Sequence, residues 1–150
     1  MNVAIAYKGT FNSPLELVKE TIENHSNMFW KCFDDIDFFM STYEGSPEID
    51  WLYNNVVNMT YYGYLGEEYR NASTWHAQLA HHENLARIVK QQEKQYDLVI
   101  ITRPDLRWLK RFDEVNIDPK SFNIPVKHDS GNCDDNLFVY PIGLTDGFIK

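Results

Sequence analysis

The most informative run in the sequence is YDLVIIT, residues 96–102, which is followed at once by Arg103-Pro104. An unbroken apolar run of this kind is typical of a strand that is buried on both faces of a parallel sheet. Pro104 ends the run, because proline has no N–H to donate to a sheet ladder. We therefore predict a central strand here, with the residues after Thr102 emerging at one edge of the sheet.

Shorter apolar runs predict further strands at residues 3–7, 36–42, 56–61 and 137–140. Between them the residue spacing predicts a helix that starts near Ser13, a short helix at about 49–54, and a long helix from 71–74 to about residue 95. Strands that alternate with helices in this way are typical of an α/β fold. The prediction is a single domain, residues 1–150, with a mostly parallel, Rossmann-like sheet and helices on both faces.

Two of the predicted helices have recognisable features. The first has Ser13 as its N-cap, Pro14 at the first helical position and Glu16 completing a capping box, with an apolar face formed by Leu15, Val18 and Ile22. The long helix is predicted to turn one stripe toward the sheet, formed by Trp75, Leu79, His82, Ala86 and Val89. His82 on that stripe is read as a core histidine, because an HExxH zinc motif would need histidine where Ala86 stands.

Composition and charge argue against several classes of function. The 150 residues are 43% hydrophobic and 15% aromatic, which is enough for a sizeable core. The net charge of −8 repels polyanions and argues against nucleic acid or an anionic membrane as a partner. No run approaches the roughly 18 apolar residues of a membrane span, and the first residues are not those of a signal peptide. Because Cys32 and Cys133 have no metal-binding spacing, we expect reduced thiols and a cytoplasmic location.

Four segments lie where a parallel α/β sheet binds its ligands, outside the carboxyl ends of the strands: residues 8–13, 42–46, 103–108 and 134–135. In the first, Lys8-Gly9 before a capped helix brings an ammonium group and backbone N–H groups to one point, an arrangement that binds a diphosphate. Neither the GxxxxGK[ST] nor the GxGxxG pattern occurs there. An ordinary turn with a surface lysine is the alternative.

The tripeptide Arg103-Pro104-Asp105 leaves the central strand with little conformational freedom. A carboxylate at Asp105 suits a hard divalent cation that also binds ligand phosphates, whereas Arg103 suits direct neutralisation of a phosphate. The simpler alternative is a turn capped by Asp105 with a solvated arginine. Farther along, one of the adjacent carboxylates Asp134 and Asp135 is a candidate general base, and a solvated turn is again the alternative.

Four segments, in chain order and spanning nearly the whole chain, match the pattern of a known family. They are AIAYKG at 4–9, DFFMSTY at 37–43, YDLVIITRPDL at 96–106 and DDNLF at 134–138. In these segments the chain resembles a group of short glycosyltransferases that use nucleotide sugars, found in bacteria, algae and large DNA viruses. The resemblance implies a GT-A-like fold that moves a sugar from a UDP-, GDP- or dTDP-sugar to a glycan or another hydroxyl acceptor. For a viral chain, the cytoplasmic location expected above would be that of the host.

The resemblance also implies a role for each of the four segments. The nucleotide and its diphosphate would be contacted by Tyr7, Lys8, Gly9, Thr42, Tyr43 and Arg103. Asp105 would take the second carboxylate place of the DxD motif, which holds Mn²⁺ or Mg²⁺ with the diphosphate in these enzymes. Asp135, beside Asp134, would face the sugar or the acceptor as the catalytic base.

The chain departs from the family pattern in two places. Arg103 occupies the first carboxylate place of the DxD motif, so a diphosphate site without a cation is a second possibility. The acceptor-binding half of GT-A enzymes lies beyond the point where Lys150 ends, and residues 143–150 would be a remnant of it. A non-catalytic α/β module that binds a nucleotide or a protein is therefore the alternative function. A metal-dependent nuclease is a distant third, because Asn116 stands where its motif needs lysine.

Overall fold

The computed structural model describes residues 1–9, 14–45, 47–55, 59–70, 74–124 and 137–149. Its strands are β1 (Asn2–Lys8), β2 (Asp35–Thr42), β3 (Met59–Tyr64), β4 (Leu98–Thr102) and β5 (Leu137–Pro141). Its helices are α1 (Leu15–Met28), α2 (Pro47–Asn55), α3 (Glu67–Arg70) and α4 (Thr74–Lys90). Short 3₁₀ helices occur at Trp30–Cys32, Phe112–Glu114 and Ile142–Phe148. The predicted α/β class is confirmed.

The strands form one five-stranded sheet in the order β3-β2-β1-β4-β5. The pairs β1–β2, β1–β4 and β2–β3 are parallel, whereas β5 runs antiparallel to β4. The sheet is therefore mixed and mostly parallel. Because β5 is reversed, its first residue, Leu137, pairs with Thr102, the last residue of β4. The chain thus enters β5 at the same edge of the sheet at which β1, β2 and β4 end.

Two apolar layers cover the two faces of the sheet, because successive side chains of a strand point to opposite faces. On one face, Val3, Ile5 and Tyr7 of β1 pack with Val18 and Ile22 of α1. On the other face, the small side chains of Ala4 and Ala6 of β1 pack in a cluster with apolar residues of α4, Leu85, Ile88 and Val89. We call these the α1 face and the α4 face.

The start and apolar face of α1 agree with most of what the sequence predicts. The helix begins at Leu15, so Pro14 is the residue before the helix rather than its first residue. Ser13, the predicted cap, lies outside the described residues. Val18 and Ile22 are buried as predicted, and the stripe continues to His25 and Phe29, which are also buried.

The predicted inward stripe of α4 is right in its second half and wrong in its first. His82, Ala86 and Val89 are buried, but Trp75 is 65% exposed and Leu79 is 43% exposed. The helix also ends at Lys90 rather than near residue 95. Helical spacing identifies residues that share a face, but it does not tell how far the helix extends past the sheet. Within the described segments, no helix is both long and apolar enough to cross a membrane.

Candidate functional site

The carboxyl ends of β1, β2 and β4 form the edge of the sheet at which the predicted ligand site lies. Residue pairing fixes the relative positions there: Tyr7 is level with Met40 of β2 and with Thr102 of β4, and Lys8 is level with Ser41. After Lys8 the chain turns at Gly9, whose φ of 88° favours glycine. The Gly9 N–H donates to the Ser41 carbonyl at 2.9 Å.

Lys8 is 1% exposed, which corrects the alternative of a turn with a surface lysine. On the α4 face its ammonium Nζ donates to His82 Nε2 at 3.1 Å and lies 5.3 Å from the centre of the Phe138 ring. Because an ammonium group only donates, His82 must accept at Nε2 and carry its proton on Nδ1. Burial, with smaller effects from Lys8 and His81, lowers the pKa of His82 to about 3, so its ring is neutral near pH 7.

A second buried polar group on the α4 face connects β2 to α4. Ser41 Oγ is hydrogen-bonded to His81 Nδ1 at 2.9 Å, and Asn84 Nδ2 donates to the same hydroxyl at 2.9 Å. Burial and the nearby ammonium of Lys8 lower the pKa of His81 to about 4. Ser41 and His81 are both buried. These contacts fix the position of α4 over the end of β2. His82 is buried, as predicted for a core histidine, and its neighbour His81 is buried as well.

Two threonine hydroxyls lie on the α1 face at this edge. Thr42 ends β2 and Thr102 ends β4, and both side chains are 0% exposed. Neither Oγ1 has a hydrogen-bond partner among the residues that the structure describes. Buried hydroxyls are normally paired, so these two hydroxyls are polar groups whose partners the described residues do not supply.

The side chains of Arg103 and Asp105 form an ion pair with two hydrogen bonds. Arg103 Nε donates to Asp105 Oδ1 at 2.9 Å, and Nη2 donates to Oδ2 at 2.6 Å. Asp105 therefore does not simply cap a turn beside a solvated arginine. The same two-bond geometry recurs eight residues later in the exposed pair Arg111 and Asp113.

The Arg103 pairing bears directly on the predicted metal site. A cation at Asp105 would share a carboxylate whose two oxygens already accept from a guanidinium group, and like charges repel. Among the described residues, no group of three or more His, Cys, Asp or Glu side chains could hold a metal ion. The predicted Mn²⁺ or Mg²⁺ site at Asp105 therefore stays a prediction.

Tyr7 and Tyr43 are both engaged within the protein. Tyr7 is buried on the α1 face, and its hydroxyl oxygen lies 2.8 Å from His25 Nδ1 and 3.0 Å from Trp30 Nε1. The ring of Tyr43 has the Arg70 guanidinium carbon 5.2 Å from its centre, and His81 meets it edge-on. Their predicted nucleotide contacts stay predictions, as does the catalytic role of Asp134 and Asp135, which lie outside the described residues.

Comparison with known proteins adds no assignment to this geometry. No model of a known protein family matches the chain, and no curated protein matches it.

Sequence analysis did not single out His25, Ser41 or Thr102. A histidine on the apolar stripe of a helix, three residues after Ile22, was a usable signal for His25. A hydroxyl at the last position of a fully apolar strand was the corresponding signal for Thr102. Ser41 gave no comparable signal, because its partners His81 and Asn84 are distant in sequence.

Proposed function

We propose that this protein binds a nucleotide-diphosphate sugar at the carboxyl edge of β1, β2 and β4 and transfers the sugar to a hydroxyl acceptor. The observation that supports this proposal most is the pair of enclosed threonine hydroxyls without described partners, Thr42 and Thr102, on the two strands that flank β1. A diphosphate is rich in acceptor oxygens, so it suits hydroxyl groups and cations that meet at one edge.

The strand order supports the same position. β2 and β3 follow β1 in sequence and lie on one side of it in the sheet, whereas β4 lies on the other side of β1. Open α/β sheets of the Rossmann type bind ligands at such a reversal of strand order, outside the carboxyl ends. The Rossmann-like, GT-A-like fold that the sequence resemblance implies would bind its nucleotide at this same edge.

The cations at the edge would stabilise the leaving diphosphate in different ways. Arg103 is partly exposed and suits contact with phosphate oxygens through its planar group. Lys8 is enclosed, so it would act through its charge across a medium of low dielectric constant. In the reaction, the acceptor oxygen forms a bond to the anomeric carbon and the bond from that carbon to the phosphate oxygen breaks. The diphosphate leaves with the electron pair, and Asp135 takes the acceptor proton.

Thermal unfolding with added nucleotides tests the binding. UDP, GDP, CMP, dTDP and their sugars are each added with and without Mn²⁺, and ligand at 100 times its Kd should stabilise the fold by about 2.7 kcal/mol. A shift with one nucleotide supports the proposal, and no shift with any of them contradicts it. Consumption of the bound donor then separates a transferase from a module that only binds.

Replacing Lys8 with methionine should weaken nucleotide binding about tenfold, because it removes a buried charge while preserving most of the side-chain volume. Each variant is compared with its own ligand-free melting temperature, since the loss of the bond to His82 also lowers stability. Lys90→Met is the control, because Lys90 is exposed and pairs with Asp146. Equal nucleotide shifts in both variants would remove Lys8 from the site.

Asp105→Asn distinguishes a carboxylate that holds a metal from one that holds Arg103. Since both Asp105 oxygens accept from Arg103, we expect nucleotide affinity to fall about three- to tenfold, equally with and without Mn²⁺. A loss confined to assays with Mn²⁺ would instead assign Asp105 to a metal. The control is Asp113→Asn, which breaks an equivalent pair with Arg111 elsewhere on the surface and should leave binding unchanged.

A further inference from the structure

Side chains of helix α1 are hydrogen-bonded to the backbone that follows the Arg103–Asp105 pair. His25 Nε2 is hydrogen-bonded to the carbonyl of Leu106. Two residues after Leu106, the backbone of Trp108 makes two hydrogen bonds with the Asn24 side chain. Trp108 N–H donates to Asn24 Oδ1 at 2.7 Å, and Asn24 Nδ2 donates to the Trp108 carbonyl at 3.1 Å. Neighbouring residues of α1 thus hold residues 106–108 at two points.

Only one assignment of donors and acceptors fits the hydrogen bonds around His25. The Leu106 carbonyl can only accept, so His25 carries a proton on Nε2 and donates it. In the neutral ring, Nδ1 then accepts from the Tyr7 hydroxyl at 2.8 Å. Tyr7 in turn accepts from Trp30 Nε1 at 3.0 Å. A directed chain of hydrogen bonds therefore runs from Trp30 through β1 and α1 to Leu106.

Aromatic packing of Trp108 also holds residues 106–108 in place. Trp108 stacks on Phe29, the residue that follows α1, with ring centres 4.6 Å apart and planes at 22°, and meets His25 edge-on at 6.4 Å. The carboxylate of Asp105 also lies close enough to act electrostatically on His25. Asp105 directly precedes Leu106 in the chain, so the backbone joins the ion pair to the anchored segment.

We propose that Asn24 and His25 are positioning residues for Arg103. By fixing residues 106–108 against α1, they set where the Arg103–Asp105 pair stands at the edge of the sheet. Only the consequence for ligand binding rests on the proposed function. The positioning itself is a property of the ligand-free protein and is measured without any nucleotide.

The test follows the Arg103 Nε–H signal by ¹⁵N-resolved NMR in the ligand-free protein. In the wild type this N–H donates a hydrogen bond to Asp105, so its hydrogen should exchange slowly with water. In Asn24→Ala we expect at least tenfold faster exchange, together with faster exchange of the Trp108 amide. Asn27→Ala is the matched control: it lies on the same helix, and its Oδ1 accepts from Lys31 rather than from residues 106–108.

Faster exchange at the Trp108 amide with an unchanged Arg103 signal would overturn the proposal, because the anchor would then not reach the ion pair. Two variants of His25 add a second comparison. Glutamine has an N–H that can replace His25 Nε2, whereas phenylalanine fills the space without a donor. Slow Arg103 exchange in His25→Gln and fast exchange in His25→Phe support the proposal, and equal exchange in both contradicts it. If no nucleotide binds the wild type, the proposed function fails while this result still decides the positioning.

Discussion

Replacing Phe29 with alanine is expected to lower the free energy of unfolding by about 3–5 kcal/mol. Phe29 is 0% exposed and packs against four aromatic rings. The ring centres lie 4.6 Å from Trp108, 5.4 Å from Phe112, 5.9 Å from Phe33 and 6.3 Å from His25. Its removal leaves a cavity where the end of α1 meets the chain after β4. Rings already packed on one another cannot close that cavity without losing their own contacts.

Chemical denaturation at equilibrium measures this loss, and the melting temperature should fall by roughly 6–20 °C for a domain of this size. Leu17→Ala is the control, because Leu17 lies on α1, the helix that Phe29 directly follows, and is 50% exposed. Its effect should stay within about 0.5 kcal/mol. A loss below about 1 kcal/mol for Phe29→Ala would show that the aromatic cluster is loosely packed.

The second large effect is a loss of stability in mild acid, caused by three enclosed histidines. Burial, the largest cause for each, lowers the pKa of His25 to about 4, that of His81 to about 4 and that of His82 to about 3. In the unfolded chain a histidine has a pKa of about 6.5. Between these values the unfolded state binds more protons than the folded state, so stability falls as the pH is lowered.

As the pH falls below 6.5, the slope from each such histidine rises toward about 1.4 kcal/mol per pH unit, and that from the three together toward about 4 kcal/mol per unit. Denaturation at pH values from 6.5 down to 5 measures this slope in a range where most carboxylates stay ionised. His81→Gln should reduce the slope by about one third, and His76→Gln, at an exposed position of the same helix, should not change it. A flat stability profile over this range would show that the histidines are already accessible to water.

The apolar runs predicted the strands well because burial on both faces leaves a strong pattern. β4 and β2 were found where the runs at 96–102 and 36–42 placed them. β3 extends to Tyr64, three residues past its predicted end, and the first three residues of its predicted range, 56–58, lie outside the described residues. The direction of β5 was not predictable, because a short apolar run reads alike in a parallel and an antiparallel strand. That direction matters, since it brings Leu137 to the edge at which β4 ends.

The contacts that define the candidate site were less predictable than the strands. Arg103 and Asp105 were recognised as candidates, but their alternation in sequence gave no sign that Arg103 would bind both oxygens of Asp105. Lys8 was recognised as a cation, whereas its enclosure depends on His82, 74 residues away. Such partners meet only through the sheet order, which residue spacing does not encode.

The central position of β1 affects how the chain folds as it is made. β1 lies between β2 and β4, and the Asn2 N–H donates at 2.7 Å to the carboxylate of Asp97, 95 residues later in the chain. At a synthesis rate of about 5–20 residues per second, roughly 5–20 s separate the two. Throughout that interval one edge of β1 has unpaired backbone groups beside apolar side chains, a template for pairing with other chains. In the growing polypeptide, that side of β1 is therefore open to pairing with other chains until β4 is made.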